Sequence, residues 1–382
     1  MRIDKVKKLS IISLENYLIE ILFYTYVVAA TLQRIFSYFD YFEMLYIASV
    51  TGLIIFLLEL RSITKKYLLL YVIAYIMALG ILMEFFIVAA LGGGNSLVFL
   101  LSNIGIASFL LRRKLQLIGI PIIFWIFTSY FFYHILVGTI SDETILTYSR
   151  NHISITMLFI TVLYYFWLLK NNKILSLIPA FYFFVICLWA IGRSGIITST
   201  VLFAGLTLFG EKNRLNLTVA SIVGVVVILY FTNWETRFIF NYDPLIQFYS
   251  KSIGEEARID IILRYFSSLD VKSFFLGYER AYYSKFMTGG NLHNSFLNAH
   301  FRFGISAFFL FIIILIALIK AVLVENKVYF VLLLAILLRA FTDTILIPSY
   351  YDFTLYFLLV RILIDCKVKL TGFKWLKRTY RT

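Results

Sequence analysis

Apolar runs long enough to cross a bilayer recur along almost the whole chain. A helix needs about 17–25 residues to span roughly 30 Å of hydrocarbon. Runs of that kind fall at 16–34, 41–59, 67–90, 96–111, 115–137, 153–169, 174–192, 194–210, 215–232, 293–319, 328–347 and 350–365. The sequence therefore predicts an all-α, polytopic integral membrane protein with about twelve transmembrane helices, a single domain over 1–382. Composition agrees: 61% of residues are hydrophobic and 19% aromatic, whereas a soluble domain is nearer half apolar. Glu20 interrupts the first run, and the short fourth run carries Asn103 and Gly105. No internal repeat or Ser/Gly-rich linker divides the chain. The basic N-terminus lacks a small-residue cleavage site and reads as retained cytoplasmic sequence.

The net charge of +14 would suit nucleic acid if it were clustered on one soluble face. It is instead dealt out by loop. Arg2, Lys5, Lys7 and Lys8, then Arg61, Lys65 and Lys66, then Arg112, Arg113 and Lys114 fall on one side. Lys170, Lys173, Lys212, Arg214, Lys320 and Lys327 follow, and the tail adds Lys367, Lys369, Lys374, Lys377, Arg378 and Arg381. Those 22 of the 35 basic residues occupy every second connection, as the positive-inside rule requires. Both termini are then cytoplasmic, the charge is a topology signal, and no nucleic-acid partner is implied. Cys187 and Cys366 fall in separate apolar runs, so no disulfide is expected, and no Cys/His spacing suggests a structural metal.

The opposite, outer side carries two longer loops, 138–152 and 233–292. The second is balanced in charge, aromatic and too apolar to be disordered. Ser252 and Glu255 have capping-box spacing. Ile259, Ile262, Tyr265, Phe266 and Leu269 then recur at helical intervals. An amphipathic helix over roughly 255–268 is expected on the outer membrane face, either a lid for a lipid-anchored substrate or a packed cap.

Polar groups gather at the outer ends of the runs. Arg193 sits in Ile-Gly-Arg-Ser-Gly between the seventh and eighth runs, with almost no loop. A guanidinium beside a helix N-terminus is an anion site, or it snorkels to the interface. Arg258 opens the amphipathic helix, with Arg264 as its competitor. His293 stands where the long loop enters the tenth run, before Asn294 and Ser295. An imidazole there can take a proton from a hydroxyl, or serve only structure.

The segments GRSG, ARIDIILRYF, FFLGY and LHNSFLNAHFRFGISAFFLF, in this order over about 190–315, resemble the O-antigen polymerase and O-antigen ligase superfamily of bacterial membrane glycosyltransferases. The resemblance implies an oligosaccharide on undecaprenyl pyrophosphate as substrate, at the outer leaflet of the bacterial inner membrane. It implies that Arg193 and Arg258 bind the pyrophosphate and that His293 activates the acceptor hydroxyl. Two guanidiniums can neutralise that leaving group by bidentate hydrogen bonds, so neither a metal nor another cofactor is expected. A chain-length regulator and a flippase in the same membrane are implied partners.

Two further clusters look like the polymerase side of that superfamily. Arg150, Asn151 and His152 lie in SRNH at the start of the sixth run, and Arg339 and Asp343 lie at i, i+4 in RAFTD. With Asn294 and Tyr350 they are expected to line a glycan cavity; Tyr350 and Tyr351 are expected to stack on sugar rings. The Arg339–Asp343 pair equally suits a purely structural intramembrane bridge. Glu20 and Glu84 are buried acids expected only to pair. These clusters favour a polymerase over a ligase acting on lipid A core. A flippase of lipid-linked units would show repeat symmetry and midplane sites, which this chain lacks.

Overall fold

The computed structural model describes residues 2–35, 42–60, 67–88, 93–138, 151–190, 192–210, 253–278 and 292–367. Among the described residues the fold is all-helical, without a strand. The helices are α1 (Arg2–Ile35), α2 (Phe42–Leu60), α3 (Leu68–Val88), α4 (Gly93–Arg112), α5 (Gly119–Val137), α6 (Asn151–Lys170) and α7 (Ile178–Ala190). They continue as α8 (Arg193–Phe209), α9 (Ile253–Ser267), α10 (Val271–Leu276), α11 (Ser295–Phe303), α12 (Ile305–Leu323), α13 (Val328–Thr342) and α14 (Asp352–Val360), which ends in a π-helical turn, Arg361–Asp365. The expected run at 215–232 and most of the loop 233–292 lie outside the described residues.

Five segments are long and apolar enough to cross a membrane: Leu14–Ile35, Glu43–Leu60, Gly119–Val137, Asn151–Lys170 and Ile305–Leu323. Five shorter apolar helices, in α3, α4, α7, α8 and α13, pack among them. The α6 span is 83% buried, against 28–50% for the other four, so α6 is the central post. Gly195 lets α8 close on it. A Cβ there would meet the Ser154 Cβ at 2.5 Å. The close approach that this glycine permits is therefore made by a neighbouring helix, as small residues do in membrane bundles.

Two expected spans are broken. The run 293–319 is not one helix. α11 ends at Gly304, which adopts φ +51, and α12 starts afresh. The backbone of the long loop causes the break: a Cβ on Gly304 would meet Phe275 O at 2.3 Å and Gly277 N at 2.7 Å. Only glycine tolerates both that φ and that contact. The membrane-crossing segment is then α12, and α11 is a separate amphipathic helix beside it. The run 328–347 is helical only to Thr342. Beyond it, irregular backbone is kept inside the bundle because side chains satisfy its amides. Ile345 N and Leu346 N donate to Ser295 Oγ at 2.8 and 3.1 Å. Ile347 N and Ser349 N donate to the Asp352 carboxylate at 2.9 and 2.8 Å. Asn103 adds three bonds: from Nδ2 to Phe99 O and Ser349 O, and to Oδ1 from Phe353 N. Irregular backbone at membrane depth is tolerated where protein supplies such partners.

The amphipathic helix of the long loop is present as α9, followed by α10, whose Asp270–Ser273 capping box was not anticipated. Ser252 lies outside the described residues. Glu84 pairs with Arg302 at 2.8 Å, and Glu20 accepts from Gln116 N and Leu117 N at 3.0 and 2.7 Å.

Candidate functional site

Three helices begin at one end of the bundle, facing the last turn of α13. Asn151 starts α6, Arg193 starts α8, and Ser295 starts α11. Asn294 caps the last of these, accepting from Phe296 N at 2.9 Å and Leu297 N at 3.1 Å. The fully buried Arg339 joins the first two to α13, and Asp343 joins the third. Its Nη1 donates to Ser194 Oγ and, at 3.3 Å, to Thr342 Oγ1. Its Nη2 donates to Asn151 O at 3.3 Å and to Asp343 Oδ2 at 3.4 Å. The Asp343 carbonyl accepts from Ser295 Oγ at 2.7 Å, and Asn294 Nδ2 donates to Phe341 O at 3.2 Å. A continuous polar relay thus runs Ser194–Arg339–Asp343–Ser295. Arg193 precedes one terminus by one residue and His293 precedes the other by two.

This geometry places the sequence-predicted residues unequally. Arg193 and His293 are half-buried at the relay's two ends. His293 is held at φ +50, a left-handed conformation that costs a non-glycine residue of order 1–3 kcal/mol and persists where the surroundings impose it. Here buried Leu292 and the Asn294 cap fix it on either side. Arg339, Asp343 and Asn294, expected against a glycan, have their side-chain polar groups engaged in the relay and the cap. Tyr351, expected to stack on a sugar, is fully buried, and its ring stacks on Phe159 at 4.2 Å. Tyr350 stays half-buried; its ring meets Phe99 edge-on and its carbonyl accepts from Tyr26 at 2.6 Å. Arg150 lies outside the described residues. So does the side chain of Arg258, whose backbone belongs to α9.

The loop helices are tied to the His293 segment. Tyr265 Oη donates to His300 Nδ1 at 2.6 Å, and His300 Nε2 donates to Phe274 O at 3.1 Å. Tyr278 N donates to Phe301 O at 2.8 Å, and the two rings stack. Ile261, Tyr265, Tyr278, Leu292, Leu297 and Phe301 form a small core of their own. Burial holds the His300 imidazole below its ordinary pKa and pushes the Tyr265 phenol up. At the start of α10, hydrogen bonds from Ser273 hold the Asp270 carboxyl below the usual carboxylate range. Arg258 stands two turns, about 10 Å, ahead of Tyr265 on α9.

Sequence reasoning missed Arg34. It lies in the last turn of α1, with the His152 ring near its main chain. The charge that ring feels most is the Arg34 guanidinium, ahead of Asp343 and Arg339. The available signal was positional, since Arg34 is a basic residue at the end of the first run expected to face outward, against the charge alternation. A groove of about 540 Å³ on the outside of α1, between α2 and α5, is lined by apolar residues such as Ile21, Val28, Leu32 and Ile122. It holds none of these polar groups. Among the described residues no three His, Cys, Asp or Glu side chains converge as metal ligands would. Compared with models of known protein families and with curated protein sequences, the chain matches none.

Proposed function

We propose that this chain is a bacterial inner-membrane glycosyltransferase that polymerises oligosaccharide repeat units from undecaprenyl-pyrophosphate donors on the outer membrane face. The observation that supports the reading is the relay Ser194–Arg339–Asp343–Ser295. It fixes the residue expected to bind the leaving group, Arg193, and the residue expected to act as base, His293, at one end of one bundle. In this reading the alternation of basic loops, with twelve expected spans and cytoplasmic termini, assigns that end to the outer face, where donors are lipid-linked.

In this reading the acceptor hydroxyl attacks the anomeric carbon of the donor. The new C1–O bond forms as the bond to pyrophosphate breaks, and the electron pair leaves with the phosphate oxygen. His293 takes the hydroxyl proton. Arg193, with Arg258 from the docked loop, neutralises the departing charge. Direct displacement inverts the anomeric centre.

Deleting the gene and resolving the surface polysaccharide on a gel tests the class. Core bearing a single repeat unit is the expected outcome. Core without any unit, with polymer held on its carrier, would instead mean a ligase. Units trapped on the cytoplasmic face would mean a flippase. Within the mechanism, His293→Ala should abolish the ladder by a factor of about 10² or more while protein level and thermal midpoint hold. Normal chain lengths in that variant would remove His293 from the chemistry.

A further inference from the structure

Arg34 and His152 stand beside the relay without being consumed by it. The Arg34 Nε is buried and has no hydrogen-bond acceptor among the described residues. The ion pairs formed among those residues do not include it. Interface snorkelling would turn this side chain outward, but the helix phase opposes that. Ile21, Thr25, Val28 and Leu32 form the outward stripe of α1 at helical spacing. Arg34 falls on the opposite side, with Tyr26, which bonds Tyr350 O. Its charge is felt by the Tyr350 and Tyr351 hydroxyls and by the His152 ring.

His152 complements it. Its ring lies near the Arg34 main chain, and Nδ1 is buried with no partner among the described residues. A neutral imidazole that donates through Nε2 carries a lone pair on Nδ1. A guanidinium whose Nε is buried and an imidazole whose Nδ1 is buried thus lie within electrostatic reach of each other, neither atom with a partner among the described residues. Buried polar groups left unmade are costly, and a guanidinium turned toward a bundle interior ordinarily has a partner or a ligand.

We propose that Arg34 and His152 form a substrate subsite that binds an oxyanion through the guanidinium and a neighbouring hydroxyl through His152 Nδ1. That chemistry belongs to an acidic sugar, whose ring carboxylate and hydroxyl are adjacent, or to the pyrophosphate of the lipid carrier next to its first sugar. Which substrate supplies it rests on the glycosyltransferase reading; the binding itself does not.

The purified full chain in nanodiscs is titrated with three probes: a glucuronic-acid-containing disaccharide, its neutral glucose counterpart, and inorganic pyrophosphate. The wild-type chain should prefer at least one anionic probe to the neutral one by roughly tenfold or more. Arg34→Gln should cut that preference severalfold with an unchanged thermal midpoint, the remainder for pyrophosphate resting on Arg193 and Arg258, and His152→Phe should weaken it. A loss confined to the disaccharide assigns the subsite to an acidic sugar; one confined to pyrophosphate assigns it to the carrier. If Arg34→Gln fails to fold, Arg34→Lys decides: a preference cut severalfold supports the subsite. An unchanged preference in the folded variant, or no preference in the wild type, overturns it. A subsite that behaves as stated in a chain whose deletion leaves the polysaccharide ladder intact would retire the polymerase reading alone. A lost ladder with no anion preference would retire the subsite alone.

Discussion

The two ends of the bundle treat their arginines differently. At the end where α4 finishes and α5 starts, Arg112 and Arg113 close on Glu59, whose side chain is 1% exposed. Arg113 Nε lies 2.9 Å from Glu59 Oε1, an ion pair without hydrogen-bond alignment, and its Nη2 reaches Glu15 at 3.0 Å. Arg361 closes on Asp365 at 2.7 Å. At the end that carries His293, Arg302 and Arg339 are also paired with carboxylates, but among the described residues Arg34 is not. A membrane protein can hold a guanidinium either by supplying its counter-ion or by leaving that to a ligand. The first solution is architecture and the second is recognition.

The comparison breaks most sharply at Arg339. Removing one member of a buried pair leaves the other charge uncompensated, at a cost of about 3–5 kcal/mol. Arg339→Met should therefore lower stability by that order and abolish the ladder together, because the same side chain holds the starts of α6 and α8. Thermal unfolding in detergent measures the first effect and the polysaccharide gel the second. Arg339→Met with Asp343→Leu should recover part of the stability and none of the activity. A single variant of wild-type stability would show that the hub is not structural.

Glu59 tests the other end. Glu59→Gln removes one charge beneath two arginines that remain 13% and 16% exposed and can turn to water. The expected loss is smaller, about 1–3 kcal/mol, and at permissive temperature the ladder should be normal. A shortened ladder in a fully folded Glu59→Gln protein would erase the distinction between the two ends.

The sequence made the helices legible because their apolar runs are long and their charges alternate; α2, α3, α5, α6 and α8 begin and end within four residues of expectation. It was poor where tertiary contacts override a local pattern. Nothing in the run 293–319 announces a break, since Gly304 matters only once the Phe275–Gly277 backbone lies against it. Likewise Ser295, Asn103 and Asp352 look like ordinary polar residues at span ends until the irregular segment 343–351 needs their hydrogen bonds. For the site, the neighbourhood was legible and the division of labour was not. Arg339, Asp343 and Asn294 fall where expected but are occupied with the relay and the helix cap, and Arg34 escaped notice because its neighbour, His152, is more than a hundred residues away.

The smallest effect concerns the tie between the loop and the His293 segment. His300 is 8% exposed, and its Nδ1 must carry a lone pair to accept from Tyr265 Oη. Burial lowers its pKa in the docked state, while an undocked histidine titrates near 6.5. Above about 6.5 both states are neutral, and docking keeps its full strength. As pH falls below that value the undocked state takes up the proton first, so docking weakens, and the loss is complete below the docked pKa. Hydrogen exchange across 261–278 should therefore accelerate between pH 7.5 and pH 5 in the wild type. In His300→Gln, which has no titratable ring, exchange should start faster and stay flat over the same range once corrected for intrinsic rates. Equal pH dependence in the two proteins would mean that another group governs the loop, and His300 would then be only a packed residue in the small core beneath α9.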